Sequence, residues 1–167
     1  AVAVTVLYGV PEPAFAEAHV AGRLLAAAGA RVACGGYGGI MEAVSRGASE
    51  AGGVVIGYTV AGFRDLSPNP YLSEERPCGD LYERLTNLID RSDAMIAMGG
   101  GIGTLVEVFL AWNELYMGLL GPRPLVLVGE LWKRALDGLS AVMEITPAHL
   151  THIDLCPDAA AAVGLLR

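Results

Sequence analysis

The chain has 167 residues, 53% hydrophobic and 17% charged, with a mean hydropathy of +0.47 and a formal net charge of −7. That size fits one compact domain, and the apolar balance excludes a disordered chain while leaving surface for an oligomer interface. The acidic excess, with no basic stripe, argues against a nucleic-acid polymer as partner, and no apolar run reaches the roughly 18 residues of a membrane helix.

Val2–Tyr8 reads as a buried strand, closed by Gly9 and two prolines. Its setting, AVAVTVLYGV, carries no basic leader and no cleavage site, so a cytoplasmic location is expected. Ala14–Ala28 reads as a helix stopped by Gly29, and Arg31–Cys34 as a short strand running into Gly35-Gly36-Tyr37-Gly38-Gly39. Ile40–Ala51 reads as a helix and Val54–Tyr58 as a third strand. Residues 61–79 are rich in Gly, Pro, Asn and Ser without a period, which predicts a long loop of the kind that often carries function. Asp80–Arg91 is an amphipathic helix with Leu81, Leu85, Leu88 and Ile89 facing inward. Ala94–Met98 is a strand that enters Gly99-Gly100-Gly101-Ile102-Gly103-Thr104, and Leu105–Met117 is the next helix. Leu125–Val128 is a strand, Leu131–Glu144 a helix, Thr151–Leu155 an edge strand and Asp158–Leu166 a last short helix. This alternation predicts an α/β fold: a Rossmann-like, doubly wound parallel sheet with helices on both faces. Ligands of such sheets bind outside the carboxyl ends of the strands, where both glycine clusters fall.

Each cluster follows a strand and opens a helix, so its amides and the helix dipole form an anion site, most simply for a phosphate. Gly36, Tyr37 and Gly38 of the first cluster and Gly100, Gly101, Ile102, Gly103 and Thr104 of the second are the candidate binding residues. Thr104 can cap its helix or offer its hydroxyl to the phosphate. A tight turn without a ligand explains either cluster alone; two at one end of a sheet favour a site. Neither carries the G-x-G-x-x-G fingerprint, and nor does the turn Gly9-Val10-Pro11, so a dinucleotide is weakly supported.

Two charged residues stand on otherwise apolar stripes. Glu107 lies one turn into an apolar helix, where it reads as a functional acid, a dipole-stabilising carboxylate, or an exposed residue sharing a face with Glu114. Arg84 reads as a functional cation, a snorkelling side chain, or a partner of Glu83 or Asp80. The helix 105–117 is core, subunit interface or both. Lys133, the only lysine, lies in Trp-Lys-Arg, which excludes a Walker A loop and argues against a Schiff-base lysine. Cys34, Cys78 and Cys156 are odd in number and form no CxxC, as in a reduced chain. His152, Asp154 and Cys156 would share a strand face, as a metal site or a plain polar edge; no metal is assigned.

The run Gly100-Gly101-Ile102-Gly103-Thr104-Leu105-Val106-Glu107 resembles the PGGxGTxxE motif of the Lonely guy (LOG) family, some of whose members carry a lysine-decarboxylase label. Glu83-Arg84 and Ser92-Asp93-Ala94 resemble that family's arginine helix and following strand, and Gly35–Met41 its first glycine motif. The resemblance runs from about Val2 to Val128. It implies a homodimer and a site for a small phosphorylated ligand, a nucleoside monophosphate. It implies phosphoribohydrolase activity, in which AMP or a cytokinin riboside monophosphate is cut to base and ribose 5-phosphate. By the match, Arg84 and Glu107 are the catalytic pair and Gly100–Thr104 holds the phosphate. Gly99 stands where the motif has proline, Leu85 where a lysine usually follows the arginine, and Glu42 where hydrolases often have glycine. The runs GGYGGIMEA (35–43) and GGGIGT (99–104) look closer to a sister branch that includes molybdenum-cofactor carrier proteins. A carrier or sensor of a phosphorylated ligand is therefore the alternative.

Breaking an N-glycosidic bond builds positive charge on the ribose, and a carboxylate beside the ring stabilises that charge or orients the attacking water. Glu107 suits that role, with Arg84 holding the phosphate or the departing base and keeping Glu107 ionised. No metal or organic cofactor is required.

Overall fold

A computed structural model describes residues 1–5, 12–63 and 66–166. Seven strands form one sheet in the order β4-β3-β2-β1-β5-β6-β7, and every neighbouring pair is parallel. They are β1 (Val2–Thr5), β2 (Val32–Cys34), β3 (Val55–Val60), β4 (Glu74–Cys78), β5 (Ala94–Ala97), β6 (Leu125–Val128) and β7 (Asp154–Cys156). The helices are α1 (Glu12–Ala27), α2 (Ile40–Glu50), α3 (Leu81–Asp90), α4 (Ile102–Tyr116), α5 (Glu130–Val142), α6 (Pro147–Leu150) and α7 (Ala159–Leu165). The part of the first predicted strand beyond Thr5, and the turn Gly9-Val10-Pro11, lie outside the described residues.

The doubly wound arrangement follows from two-sided apolar strands. Val2, Val4, Val32, Cys34, Val55, Ile96 and Val126 face one cluster with α1, α2 and α7. The alternate residues Met95, Ala97, Leu125 and Leu127 face α4 and α5, while Ala33, Ile56 and Tyr58 face Leu88 of α3. Strands buried on both faces need no polar alternation, which is why they read as short continuous apolar runs. Among the described residues, no helix is long and apolar enough to cross a membrane.

Three expectations change. The loop expected over 61–79 contains β4, whose sequence Glu-Glu-Arg-Pro-Cys shows no strand pattern. It is an edge strand with one open side, so charges and Pro77 are tolerated there. Leu81, expected inward, is exposed in the first turn of α3. The last strand is Asp154–Cys156 rather than Thr151–Leu155, and His152 lies in the turn before it.

From β1 the chain winds outward through β2, β3 and β4, then returns across the other face to β5. The switch point therefore lies between β1 and β5, and both glycine clusters sit at the carboxyl ends of strands near it.

Candidate functional site at the switch point

Helix α3 is started by Asp80, whose side chain accepts a 2.8 Å hydrogen bond from the Glu83 amide. Glu83 reaches back to accept one from the Gly79 amide at 2.7 Å. These two acids are thus engaged with backbone amides at the helix start, Asp80 as the N-cap and Glu83 reaching the residue before it, and do not pair with Arg84. One turn on, Arg84 points inward toward the sheet and is buried. Its Nε donates to the Tyr58 carbonyl at the end of β3 (2.8 Å), and Nη1 donates to Glu107 Oε1 of α4 (3.3 Å). The guanidinium also lies 6.0 Å from the centre of the Tyr37 ring, at the limit of a cation–π contact.

Gly35 makes this path available. A Cβ there would stand 1.7 Å from Arg84 Nη2, so only glycine leaves room for the guanidinium. Sequence reading placed Gly35 in the first cluster but not among the binding residues. The signal was its position directly after a strand; what required glycine was a side chain arriving from another helix.

Helix α4 begins at Ile102, earlier than the periodicity suggested, with Gly101 at its N-cap and no side-chain cap. The first intrahelical bond here runs from the Leu105 amide to the Gly101 carbonyl at 3.0 Å. The amides of Ile102, Gly103 and Thr104 therefore have no partner within the helix, and its first turn carries no acid. That is the geometry and polarity of an anion seat. Thr104 does not cap the helix, as it lies inside the first turn. Its hydroxyl is buried and has no hydrogen-bond partner among the described residues. A Cβ on Gly100 would come within 2.1 Å of that oxygen, so the loop folds tightly over it. A buried hydroxyl with no partner among the described residues, beside amides with none within the helix, has the complement of a bound oxyanion.

Glu107 follows on the same helix, beyond the first turn, which removes the dipole explanation for an acid there. Its side chain is 12% exposed and Arg84's is 10%, so the pair is shielded from water. Beneath Glu107 lies a small apolar cavity of about 30 Å³ walled in part by Leu88, Ile89 and Val108. Burial pushes the Glu107 carboxyl up to about 7, against the opposing pull of Arg84. Arg84 was expected to keep Glu107 ionised; the desolvation of the carboxyl outweighs it.

The first glycine cluster is less open than the second. Gly36 and Tyr37 are buried, whereas Gly38 is half-buried. The Gly36 amide donates to Cys34 Sγ at 3.4 Å, and the Tyr37 hydroxyl accepts from the Val60 amide at 2.7 Å. Tyr37 meets Arg84 through its ring face. Cys34 itself is buried, and its thiol is pushed up by desolvation. Elsewhere, Lys133 is exposed on α5 and bonded to Asp137 at 2.8 Å. Among the described residues, no three His, Cys, Asp or Glu side chains stand together as metal ligands.

The SLOG cluster4 family model matches residues 8–123, most of the chain and both glycine clusters. The chain belongs to the SLOG cluster4 family. A cytokinin riboside 5′-monophosphate phosphoribohydrolase of Rhodococcoides fascians is 30% identical over 156 residues, which is 87% of this chain and 77% of that protein. One of Mycobacterium tuberculosis is 36% identical over 110 residues, 64% of this chain and 56% of that protein. The molybdenum cofactor binding protein of Rippkaea orientalis superposes with a TM-score of 0.80 at 23% identity, covering 99% of this chain and 93% of that one. The last likeness shows the Rossmann-like fold of this SLOG chain.

Proposed function

We propose that this SLOG cluster4 protein is a nucleoside 5′-monophosphate phosphoribohydrolase, cutting the N-glycosidic bond of AMP or a cytokinin riboside monophosphate to free base and ribose 5-phosphate. The observation that carries the reading is a buried Arg84–Glu107 pair beside an uncapped helix N-terminus with an orphan hydroxyl. The names of the Rhodococcoides and Mycobacterium relatives support it.

The phosphate sits on the amides of Gly101–Thr104 and on the Thr104 hydroxyl, with Gly100 shaping the loop. The half-buried backbone at Gly38 flanks the ligand, and Gly36 and Tyr37 back it from below. Glu107, as carboxylate, faces the ribose, stabilises charge growing on the ring and orients the attacking water. Arg84 steadies the phosphate or the leaving base. Its neighbour Glu107 titrates near neutral pH and so exchanges a proton with water or base at little cost. We assign residues 1–167 to one nucleotide-binding domain, working in the cytoplasm as a homodimer. The dimer reading rests on the exposed apolar row Ile102, Val106, Phe109 and Tyr116 along α4.

A carrier or sensor of a phosphorylated ligand such as molybdenum cofactor is the second reading. It is favoured by Gly99, Leu85 and Glu42, where the chain leaves the hydrolase pattern. Incubation with a panel of nucleoside monophosphates, AMP first, separates the two by chromatography of base and ribose 5-phosphate. Product that disappears in Glu107→Gln supports the hydrolase. No product from any nucleotide, with ribose 5-phosphate still bound, overturns it in favour of the carrier.

A further inference from the structure

The long loop after β3 returns a polar side chain to the interior. Asn69 is 6% exposed. Its amide donates to the Gly36 carbonyl at 2.8 Å. Its Nδ2 donates to the Tyr37 carbonyl at 3.1 Å and to Ser45 Oγ at 3.3 Å, while its Oδ1 accepts from the Tyr71 amide at 3.1 Å. Ser45 Oγ in turn donates to the Met41 carbonyl at 2.7 Å in α2. One side chain thus ties three separate segments: the loop, the first glycine cluster and α2. These bonds are worth more than their number suggests, because each buried partner left alone carries a desolvation cost.

What the clamp holds matters for the site. The two carbonyls fixed by Asn69 belong to Gly36 and Tyr37. The Tyr37 ring is 3% exposed, is anchored at its far end by the Val60 amide, and lies against the guanidinium of Arg84. Among the described residues Arg84 has one side-chain hydrogen-bond partner, Glu107, and that bond is long at 3.3 Å. The Tyr58 carbonyl holds Nε at 2.8 Å, so withdrawal of the Tyr37 support would let the guanidinium turn about that bond and lengthen its contact with Glu107.

We propose that Asn69 is a positioning residue for the Arg84–Glu107 pair. It pins the Gly36–Tyr37 backbone from the loop side, and the Tyr37 ring transmits that constraint to the guanidinium. Asn69 touches neither reacting group. The kinetic part of this inference rests on the hydrolase reading; the structural part does not.

Two variants test it, Asn69→Ala and Asn69→Ser, the second being a smaller perturbation should the first fail to fold. The activity-independent readout is the titration of Glu107 by NMR in glutamate labelled with ¹³C at the carboxyl, assigned by Glu107→Gln. Arg84 on α3 is the charged group acting on Glu107, and the Cys34 thiol of β2 is the other titratable group coupled to it. Arg84 is the influence among the described residues that lowers the Glu107 midpoint, so loosening it moves the midpoint upward in the folded variants. With AMP as substrate, kcat falls about tenfold, KM stays within about threefold, and the acid limb of the kcat profile moves up with the NMR midpoint. A folded variant whose Glu107 midpoint matches wild type overturns the proposal, even if its thermal stability is lower. If wild type releases no base from any nucleoside monophosphate of the panel, the hydrolase reading fails while the NMR titration still decides the role of Asn69.

Discussion

Arg84 and Glu107 lie 23 positions apart in sequence, on α3 and α4, yet their side chains meet at 3.3 Å with little exposure to water. Neither helix needs the other's charge to form. Each carries one ionisable residue on a face that would otherwise be apolar, and the crossover from β4 to β5 brings those two faces together. An arginine alone in that position would be a costly buried cation, and a glutamate alone would be neutral. Together they form a pair whose proton balance lies close to neutral pH.

The raised carboxyl makes stability depend on pH in a particular direction. Glu107 titrates near 4.5 in an unfolded chain and at about 7 when folded. Between those values the folded state holds more protons, so this group lowers stability as pH rises from about 5 to 8, by on the order of 3 kcal/mol. Urea unfolding across that range should show a steeper loss for wild type than for Glu107→Gln. Parallel curves for the two proteins would contradict the raised midpoint. In turnover, a rate that needs ionised Glu107 climbs through about pH 7.

Gly35→Ala tests the approach of Arg84 from the other side. The new methyl would stand 1.7 Å from Nη2, and 2.8 Å from the Met41 sulfur. The guanidinium must leave, and the overpacking costs about 1–3 kcal/mol. Turnover of AMP is expected to fall at least about 100-fold in a protein that still folds. Wild-type turnover would show that Arg84 does not need its place over Gly35.

Thr104→Val removes a buried hydroxyl that has no partner among the described residues. Its loss should leave the unliganded protein as stable as wild type or more stable, by about 1 kcal/mol. The affinity for ribose 5-phosphate should drop about tenfold, measured by calorimetry, since a hydrogen bond to a charged group is worth about 1.5–3 kcal/mol. Destabilisation with unchanged affinity would make the hydroxyl a structural group instead.

The apolar row on α4 should hold two chains together. Ile102 is 80% exposed and Phe109 36%, and Val106 lies between them on the same face. Light scattering is expected to give a dimer for wild type and a monomer for Phe109→Glu, because a charge at an apolar contact is strongly disfavoured. Equal masses for both proteins would place the interface elsewhere.

Local features made much of this readable from the chain. Among the described residues, every strand except β4 and every helix except the four-residue α6 lies within a few positions of where periodicity and glycine breaks put it. The missed strand has a local cause. β4 is an edge strand with charged residues and a proline, so it shows no buried pattern, and the short, half-exposed final strand starts later than its pattern for the same reason. Arg84 and Glu107 stood out because a charge on an apolar stripe breaks the local pattern. Asn69 did not, because an asparagine in a polar loop matches its surroundings and shows its role only through the carbonyls it reaches.

By itself, then, the sequence determined the alternation of strands and helices, the parallel sheet that alternation requires, and the two glycine turns at its carboxyl end. Those features depend on residues near one another in the chain. Only the tertiary structure decided that Arg84 passes over Gly35 to Glu107, that Thr104 keeps an unpaired hydroxyl, and that Asn69 holds the first glycine cluster. Each of these depends on the solvent exposure and angle at which distant segments meet. Desolvation, which sets the proton affinity of Glu107, is a property of that packing rather than of any local run of residues.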